Sequence, residues 1–274
     1  MDPNIKLDLA EDRGEKVLED IPEYQAVVGS LIYTALETWP DISYVVAAVS
    51  HYNSRPFTSH ITAATRVLQY LKSTDDFRLH FNRIGIGIDI CNSLVGYSDS
   101  HRANDRVERK SQGGHGFLAR NGALLWQSRK QSLLAMSTFH AVFIACLEAS
   151  REAEWLLQFQ KDIHRSQRDS PPLPINCHNQ GALILITSGI IKARTKHIDV
   201  CYHNSQDLHK RRRVNYSCRQ TDENVEDILT KALTNDKHTK FTRAMGVWQL
   251  QVNLSLRLFD LSFGIRISLC IWMA

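Results

Sequence analysis

The chain has no long apolar run, although 43% of its 274 residues are hydrophobic. No stretch approaches the roughly 20 apolar residues that a helix needs to cross a bilayer, which argues against a protein that spans a membrane. The chain starts with charged residues and not with an apolar leader. From this start we expect a protein that is not secreted.

Closely spaced cysteines are also lacking. The six cysteines are scattered and form no C-x-x-C pair: Cys91, Cys146, Cys177, Cys201, Cys218 and Cys270. This spacing matches neither the common zinc motifs nor the disulfide framework of a small secreted domain. We therefore expect reduced thiols in an intracellular protein, cytoplasmic or nuclear.

An excess of charge of one sign is missing as well. The net charge of +4 and the pI near 8.7 permit nucleic-acid binding but do not require it. The glycine pattern Ile84-Gly-Ile-Gly-Ile-Asp89 lacks the third glycine and the following helix of a phosphate-binding loop. We interpret it as part of a connector.

The most informative stretch is Ser93-Leu-Val-Gly-Tyr-Ser-Asp99, a short apolar run that ends in a carboxylate. Leu94, Val95 and Tyr97 are typical of a buried central strand. Asp99 would lie at the carboxyl end of that strand, where α/β sheets usually hold their functional groups.

Together with this strand, the residues after Asp99 predict the element order β-β-β-α-β-α-α-β-α. The turn Asn121-Gly122 indicates a hairpin, and apolar residues at helical spacing predict a long amphipathic helix around 142–156. The remaining predicted elements are strands over 113–120, 123–128, 174–177 and 214–219, and helices from 179, over 196–210 and from 223. This order predicts an α/β fold, a ribonuclease H-like mixed five-stranded sheet with helices on its faces.

A small helical region precedes this sheet in the prediction and covers residues 24–75. Asp41 and Ser59 are candidate N-caps, and Pro56 separates their two helices. We expect the acidic residues 1–23 to form an extended linker. We expect residues 76–92 to be a connector with a short strand near 77–81.

Nine stretches resemble, in the same order, the C-terminal end of the Pol polyprotein of copia-type LTR retrotransposons. They are Tyr24-Gln-Ala-Val-Val-Gly-Ser-Leu-Ile-Tyr33, Pro40-Asp-Ile42, Arg66-Val-Leu-Gln-Tyr-Leu-Lys72, Val95-Gly-Tyr-Ser-Asp99, Arg109-Lys-Ser111, Trp126-Gln-Ser-Arg-Lys-Gln131, Asn179-Gln180, Arg194-Thr-Lys-His-Ile-Asp199 and Asp227-Ile-Leu-Thr-Lys-Ala-Leu233. The resemblance implies a reverse transcriptase thumb or connection region over 24–75 and a ribonuclease H-like domain over 93–248. The tail 249–274 falls outside the resemblance, and we expect it to be poorly ordered.

The same resemblance implies what the chain would do. The family cleaves the RNA strand of RNA–DNA hybrids during reverse transcription, with Mg²⁺ as cofactor and the hybrid as partner. The upstream palm with its paired aspartates has no counterpart here. We therefore expect a truncated Pol fragment that does not polymerise DNA by itself.

The resemblance also assigns the site, which in the family consists of four carboxylates around two Mg²⁺ ions. Asp99 and Asp227 stand at the first and fourth positions. His140 and His178 stand at the second and third, and His101 replaces a further aspartate after Asp99.

Two histidines in place of carboxylates remove two negative charges and two oxygen ligands. Imidazole is a poor ligand for Mg²⁺. We therefore predict that only Asp99 and Asp227 remain as metal ligands, that Mg²⁺ binding is weak or absent, and that catalysis is impaired. The alternative is a rebuilt site in which His101, His140 and His178 join the aspartates around a transition metal.

Candidate nucleic-acid contacts are few. By resemblance Arg194 and Lys196 lie in a loop near the mouth of the site. Lys210 and Arg211 belong to the densest basic run, which could meet phosphates or serve as a nuclear address, or could be a solvated helix end. Three functions stay open: an inactive relic, a nucleic-acid-binding module without cleavage, and a nuclease with an altered metal requirement.

Aromatic side chains near the site allow a further expectation. We interpret Trp126, Phe143 and Trp155 as core residues and not as platforms on which bases stack.

Overall fold

The computed structural model describes residues 7–82, 93–102, 109–164, 171–188, 199–219 and 224–249. The helices are α1 (Ile21–Glu37), α2 (Ser43–Ser50), α3 (Thr58–Ser73), α4 (Thr138–His164), α5 (Gln180–Ser188), α6 (Asp199–Lys210), α7 (Asp227–Thr230) and α8 (Asn235–Ala244). The strands are β1 (Phe77–Leu79), β2 (Val95–His101), β3 (Gln112–Ala119), β4 (Gly122–Lys130), β5 (Leu173–Cys177), β6 (Val214–Cys218) and β7 (Val247–Gln249). The glycine pattern at 84–89, Arg194, Lys196 and the tail from 250 lie outside the described residues.

Five strands form the main sheet in the order β4-β3-β2-β5-β6. The β2–β3 and β3–β4 pairs are antiparallel, whereas β2–β5 and β5–β6 are parallel. This mixed sheet with β2 at its centre confirms the predicted ribonuclease H-like fold. The central strand begins and ends later than predicted, so that Asp99 lies inside it and not after it.

Each face of the sheet carries its own hydrophobic core. On one face, α4, α5 and α6 cover a core that includes Phe117, Phe143 and Ile175. On the other face, Leu118 packs with residues of α7 and α8, among them Leu229. Adjacent residues of β3 thus point into opposite cores, as the two-residue period of a strand requires.

The helical region packs against the second face and is fastened there by polar contacts. The indole N–H of Trp126 in β4 donates to the backbone oxygen of Ala35 in α1, at 2.8 Å. Asp41 is buried, and its carboxylate accepts from the hydroxyls of Tyr70 and Thr242. The expectation that Asp41 caps a helix is wrong, because its side chain joins α3 to α8 instead.

Residues 7–20 are in contact with this helical region. Leu7 and Ala10 are buried, and Val17 forms an isolated bridge with Phe57. The structure therefore differs from the extended linker that we expected, since buried apolar side chains and backbone hydrogen bonds hold this acidic stretch against the helices.

A second, two-stranded sheet pairs β1 with β7. The short strand expected near 77–81 is therefore present. The ring of His80 stacks on Trp248 with centroids 4.6 Å apart, and the backbone N–H of His80 donates to Gly246.

The aromatic residues followed the sequence interpretation in two cases of three. Phe143 is buried and Trp126 is partly buried. Trp155 is 53% exposed and stacks on Phe159 one helical turn later, so its assignment to the core was wrong. None of the helices in the described ranges is both long and apolar enough to cross a membrane.

His115 in β3 gives the sheet a testable pH dependence. Burial lowers the pKa of its imidazole from 6.5 to about 4. Because the folded state keeps this ring neutral, its stabilising contribution is complete above pH 6.5 and is lost as the pH falls towards 4. Over this range we expect the unfolding free energy of the wild type to fall by up to about 3 kcal/mol more than that of His115→Gln. Urea titrations at pH 6.5 and at pH 4 measure the unfolding free energies. An equal loss of unfolding free energy in the wild type and in the variant would contradict this expectation.

Candidate active site

Asp99 lies near the carboxyl end of the central strand and is 2% exposed. Its backbone partner across the antiparallel pair is Gly114. Strand β5 runs parallel to β2 and ends at Cys177, so the next residue, His178, emerges at the same edge of the sheet. The parallel pairing of β2 with β5 is therefore what places these two side chains together.

Three further polar residues reach this edge from α7 and the residue that follows it. The hydroxyl of Thr230 donates to Oδ2 of Asp99 at 3.3 Å. His178 Nδ1 lies 3.0 Å from Oδ1 of Asp99, and Lys231 Nζ lies 2.7 Å from Oδ1 of Asp227. The structure thus brings Asp99, His178 and Asp227 into one cluster, held by Thr230 and Lys231.

The pKa values of the cluster follow from burial and from these contacts. Burial alone would raise the pKa of Asp99, but His178 and the Ser100 backbone together hold it below its ordinary value. The contact with Asp99 raises the pKa of His178 against the opposing effect of burial. Burial raises the pKa of Asp227, and the neighbouring Asp99 adds to that rise while Lys231 opposes it.

Glu226 is a member of the cluster that sequence reasoning missed. Its side chain is 2% exposed, and burial raises the pKa of its carboxyl well above the ordinary value, with Asp99 and Asp227 adding to the rise. The fold therefore favours the protonated form of this carboxyl group more than water does. Two consecutive acids were visible in the sequence, but nothing there indicated that both are buried.

His140 and His101 stand apart from these contacts. The Nδ1 atom of His140 accepts from the backbone N–H of Met136, and the backbone N–H of His140 donates to the hydroxyl of Ser137. These hydrogen bonds remain within the loop that starts α4. Burial lowers the pKa of His140. His101 ends β2 and is exposed, and partial burial followed by the charge of Lys231 lowers its pKa. Of the predicted four residues, the structure joins three by direct contacts.

The basic run lies at the other edge of the sheet. Lys210 and Arg211 are exposed, and Nε of Arg211 is 2.9 Å from Oδ2 of Asp207. They precede β6, which is parallel to β5, so they lie at the amino end of the parallel strands, whereas Asp99 lies near the carboxyl end of its own. This position is that of a solvated helix end.

The cluster does not fit the pair of Mg²⁺ ions that the fold family implies. Both oxygens of Asp99 and one oxygen of Asp227 face a hydrogen-bond donor or a nitrogen of the chain, and burial raises the pKa of the Glu226 carboxyl, which disfavours the charged form that would bind a cation. Among the described residues, no group of three or more His, Cys, Asp or Glu side chains is arranged to hold a metal ion. A divalent ion would have to displace Lys231 or His178 to reach these oxygens.

Comparison with known proteins places the chain among mobile elements. It is 35% identical over 214 residues to the retrovirus-related Pol polyprotein from transposon TNT 1-94 of Nicotiana tabacum, which is 78% of this chain but 15% of that protein. It is 37% identical over 139 residues to the secreted RxLR effector protein 161 of Plasmopara viticola, which is 51% of this chain and 94% of that protein.

Other comparisons add little. No known family model matches the chain. A solved ribonuclease H domain from Mycobacterium tuberculosis aligns with 14% identity and a TM-score of 0.37, over 55% of this chain and 96% of that chain.

Gly114 sets how closely α7 approaches the sheet. A Cβ atom on Gly114 would lie 2.8 Å from Cγ2 of Thr230 and 2.9 Å from Cβ of Leu229, whereas one on Gly116 would meet its nearest neighbour at 3.6 Å. We expect Gly114→Ala to lower the unfolding free energy by about 1–3 kcal/mol, because it forces α7 away from Asp99. The matched control Gly116→Ala should stay within about 0.5 kcal/mol of the wild type. Urea midpoints measure both, and equal midpoints would contradict this account.

Proposed function

Since this chain belongs to the retrovirus-related Pol polyproteins of transposons, of whose length it spans about 15%, we propose that it is a Pol segment without nuclease activity. Its ribonuclease H-like domain keeps the family fold but no longer hydrolyses the RNA strand of an RNA–DNA hybrid with Mg²⁺. The observation that supports this most is the contact of His178 with Asp99, at 3.0 Å. A nitrogen donor occupies the position at which the copia-type family has a metal-binding carboxylate.

Two-metal hydrolysis depends on both ions being placed for in-line attack. A misplacement of about 1 Å can cost ~100-fold in rate. With His140 and His178 at the two middle positions, Asp99 and Asp227 are the remaining carboxylates, and Lys231 already covers an oxygen of Asp227. Mg²⁺ held by so few oxygens would keep most of its waters and bind weakly.

Cleavage of a labelled RNA–DNA hybrid tests this proposal. We expect the wild type with Mg²⁺ to show no cleavage above the blank Asp99→Asn. The double variant His140→Glu with His178→Asp restores the carboxylates and should cleave at least about tenfold above that blank. Each single variant should cleave little, because ligands that act as a unit are strongly non-additive.

The outcomes separate the candidate functions. Cleavage by the wild type with Mg²⁺ would refute the proposal. Cleavage by the wild type with Mn²⁺ or Zn²⁺ alone would support a nuclease with an altered metal requirement. An inactive double variant that unfolds at the wild-type temperature would also count against the proposal, since the carboxylates would then not be what is missing.

We also propose an RNA–DNA hybrid as the partner, bound without cleavage. The exposed Lys210 and Arg211 are the described candidates for phosphate contacts, and Arg194 and Lys196 stay candidates by resemblance alone. Two phosphate contacts would make the affinity fall about tenfold between 50 and 200 mM salt.

Gel shifts at several salt concentrations test this binding. The double variant Lys210→Gln with Arg211→Gln should bind more weakly and lose about two units of the salt slope. Lys161→Gln with Lys240→Gln changes the net charge equally at another surface and serves as the control. A hybrid that does not shift at low salt would leave the inactive relic as the remaining function.

We place the protein inside the cell. The described cysteines Cys146, Cys177 and Cys218 are free thiols, which supports a reducing compartment. Whether that compartment is the cytoplasm or the nucleus follows from where the partner hybrid forms.

A further inference from the structure

The charged cluster has an arrangement that a metal site would not need. Each of its two aspartates has a nitrogen of the protein against one carboxylate oxygen. We infer that Asp99, His178, Asp227 and Lys231 form a metal-independent latch, in which the protein's own nitrogens occupy the place that divalent ions take in the family. The Asp227–Lys231 pair lies within α7 and the residue after it, and the hydrogen bond from Thr230 to Asp99 connects this helix to the main sheet.

The latch connects three parts of the chain that are distant in sequence. Asp99 belongs to the central strand β2, His178 follows β5, and Asp227 begins α7. Thr230, at the end of α7, donates to Oδ2 of Asp99, so both oxygens of that carboxylate are engaged. A break at Asp99 would therefore release α7 and the residue after β5 together.

Helix α7 needs such a fastening because it is short and polar. It has four residues, and two of them, Asp227 and Thr230, are buried polar side chains. Each buried polar group without a partner costs free energy, and a charged group costs more. Lys231 offsets this cost at Asp227, and the hydrogen bond to Asp99 offsets it at Thr230, without a bound ion.

The electrostatic consequence has a definite sign. In an empty metal site, clustered carboxylates repel one another, and replacing one by an amide stabilises the fold. In the latch, the carboxylate of Asp227 has a cation against it, at 2.7 Å. Removing Lys231 leaves the buried carboxylate of Asp227 without this cation, so this removal should destabilise the fold.

Thermal unfolding of the full chain in EDTA tests the inference. Lys231→Met should lower the Tm by about 3–6 °C. Its matched control is Lys210→Met, which makes the same chemical change at the exposed end of α6 and should shift the Tm by less than about 1 °C. An unchanged or raised Tm in Lys231→Met would overturn the latch.

Metal addition supplies a second readout that needs no variant. Millimolar Mg²⁺ should leave the wild-type Tm within about 1 °C, because a ligand that does not bind the native state does not stabilise it. Free Mn²⁺, followed by its electron paramagnetic resonance signal, should be unaffected by the wild type. The double variant His178→Asp with Lys231→Met should reduce the free Mn²⁺ signal, since it replaces both nitrogens. Equal Mn²⁺ binding by the wild type would overturn the inference.

The inference depends on the contacts and not on the proposed loss of nuclease activity. Hybrid cleavage by a wild type that passes both stability tests would refute the proposed function alone. A metal-stabilised wild type without cleavage would refute the latch alone.

Discussion

The buried carboxylate of Asp99 is the constraint on which this structure depends. An ionised group that is 2% exposed in the central strand must find partners in the protein, because solvation by water is lost. Thr230 and His178 supply those partners, and they come from the segments after β6 and β5. The partners that this one carboxylate requires therefore determine the positions of two segments that are distant in sequence.

A buried acid also lies at the contact between the helical region and the sheet. This acid is Asp41, and burial raises the pKa of its carboxyl despite the hydroxyl donors of Tyr70 and Thr242. Its backbone oxygen accepts from His238 in α8. On the second face, Asp99 thus connects α7 to the sheet, and Asp41 connects the helical region to α8. Apolar side chains fill the space between these two contacts.

Local patterns in the sequence predicted the fold well because its strands and turns are specified by residues within them or next to them. The apolar run before Asp99 and the turn at Asn121-Gly122 give the strand and the hairpin without reference to the rest of the chain. Trp155 was misassigned because helical periodicity shows which residues share a face and not whether that face is covered. His140 stands at a family carboxylate position by resemblance, yet the loop before α4 supplies its hydrogen-bond partners, which the spacing of motifs does not indicate. Glu226 was missed because burial is a property of the tertiary structure.

The pairing of β1 with β7 changes how the chain can be divided. In sequence, the connector before residue 93 separates a helical module from a nuclease-like module. Strand β1 lies in that connector, before residue 93, and β7 lies near the end of the second module. In the folded chain these two strands pair in one sheet. A Cβ on Gly246 would lie 2.7 Å from Cα of Gly122, so this small sheet is also seated tightly on the main hairpin. The modules are therefore interlocked rather than strung together, and recombination at the connector would exchange half of a shared sheet.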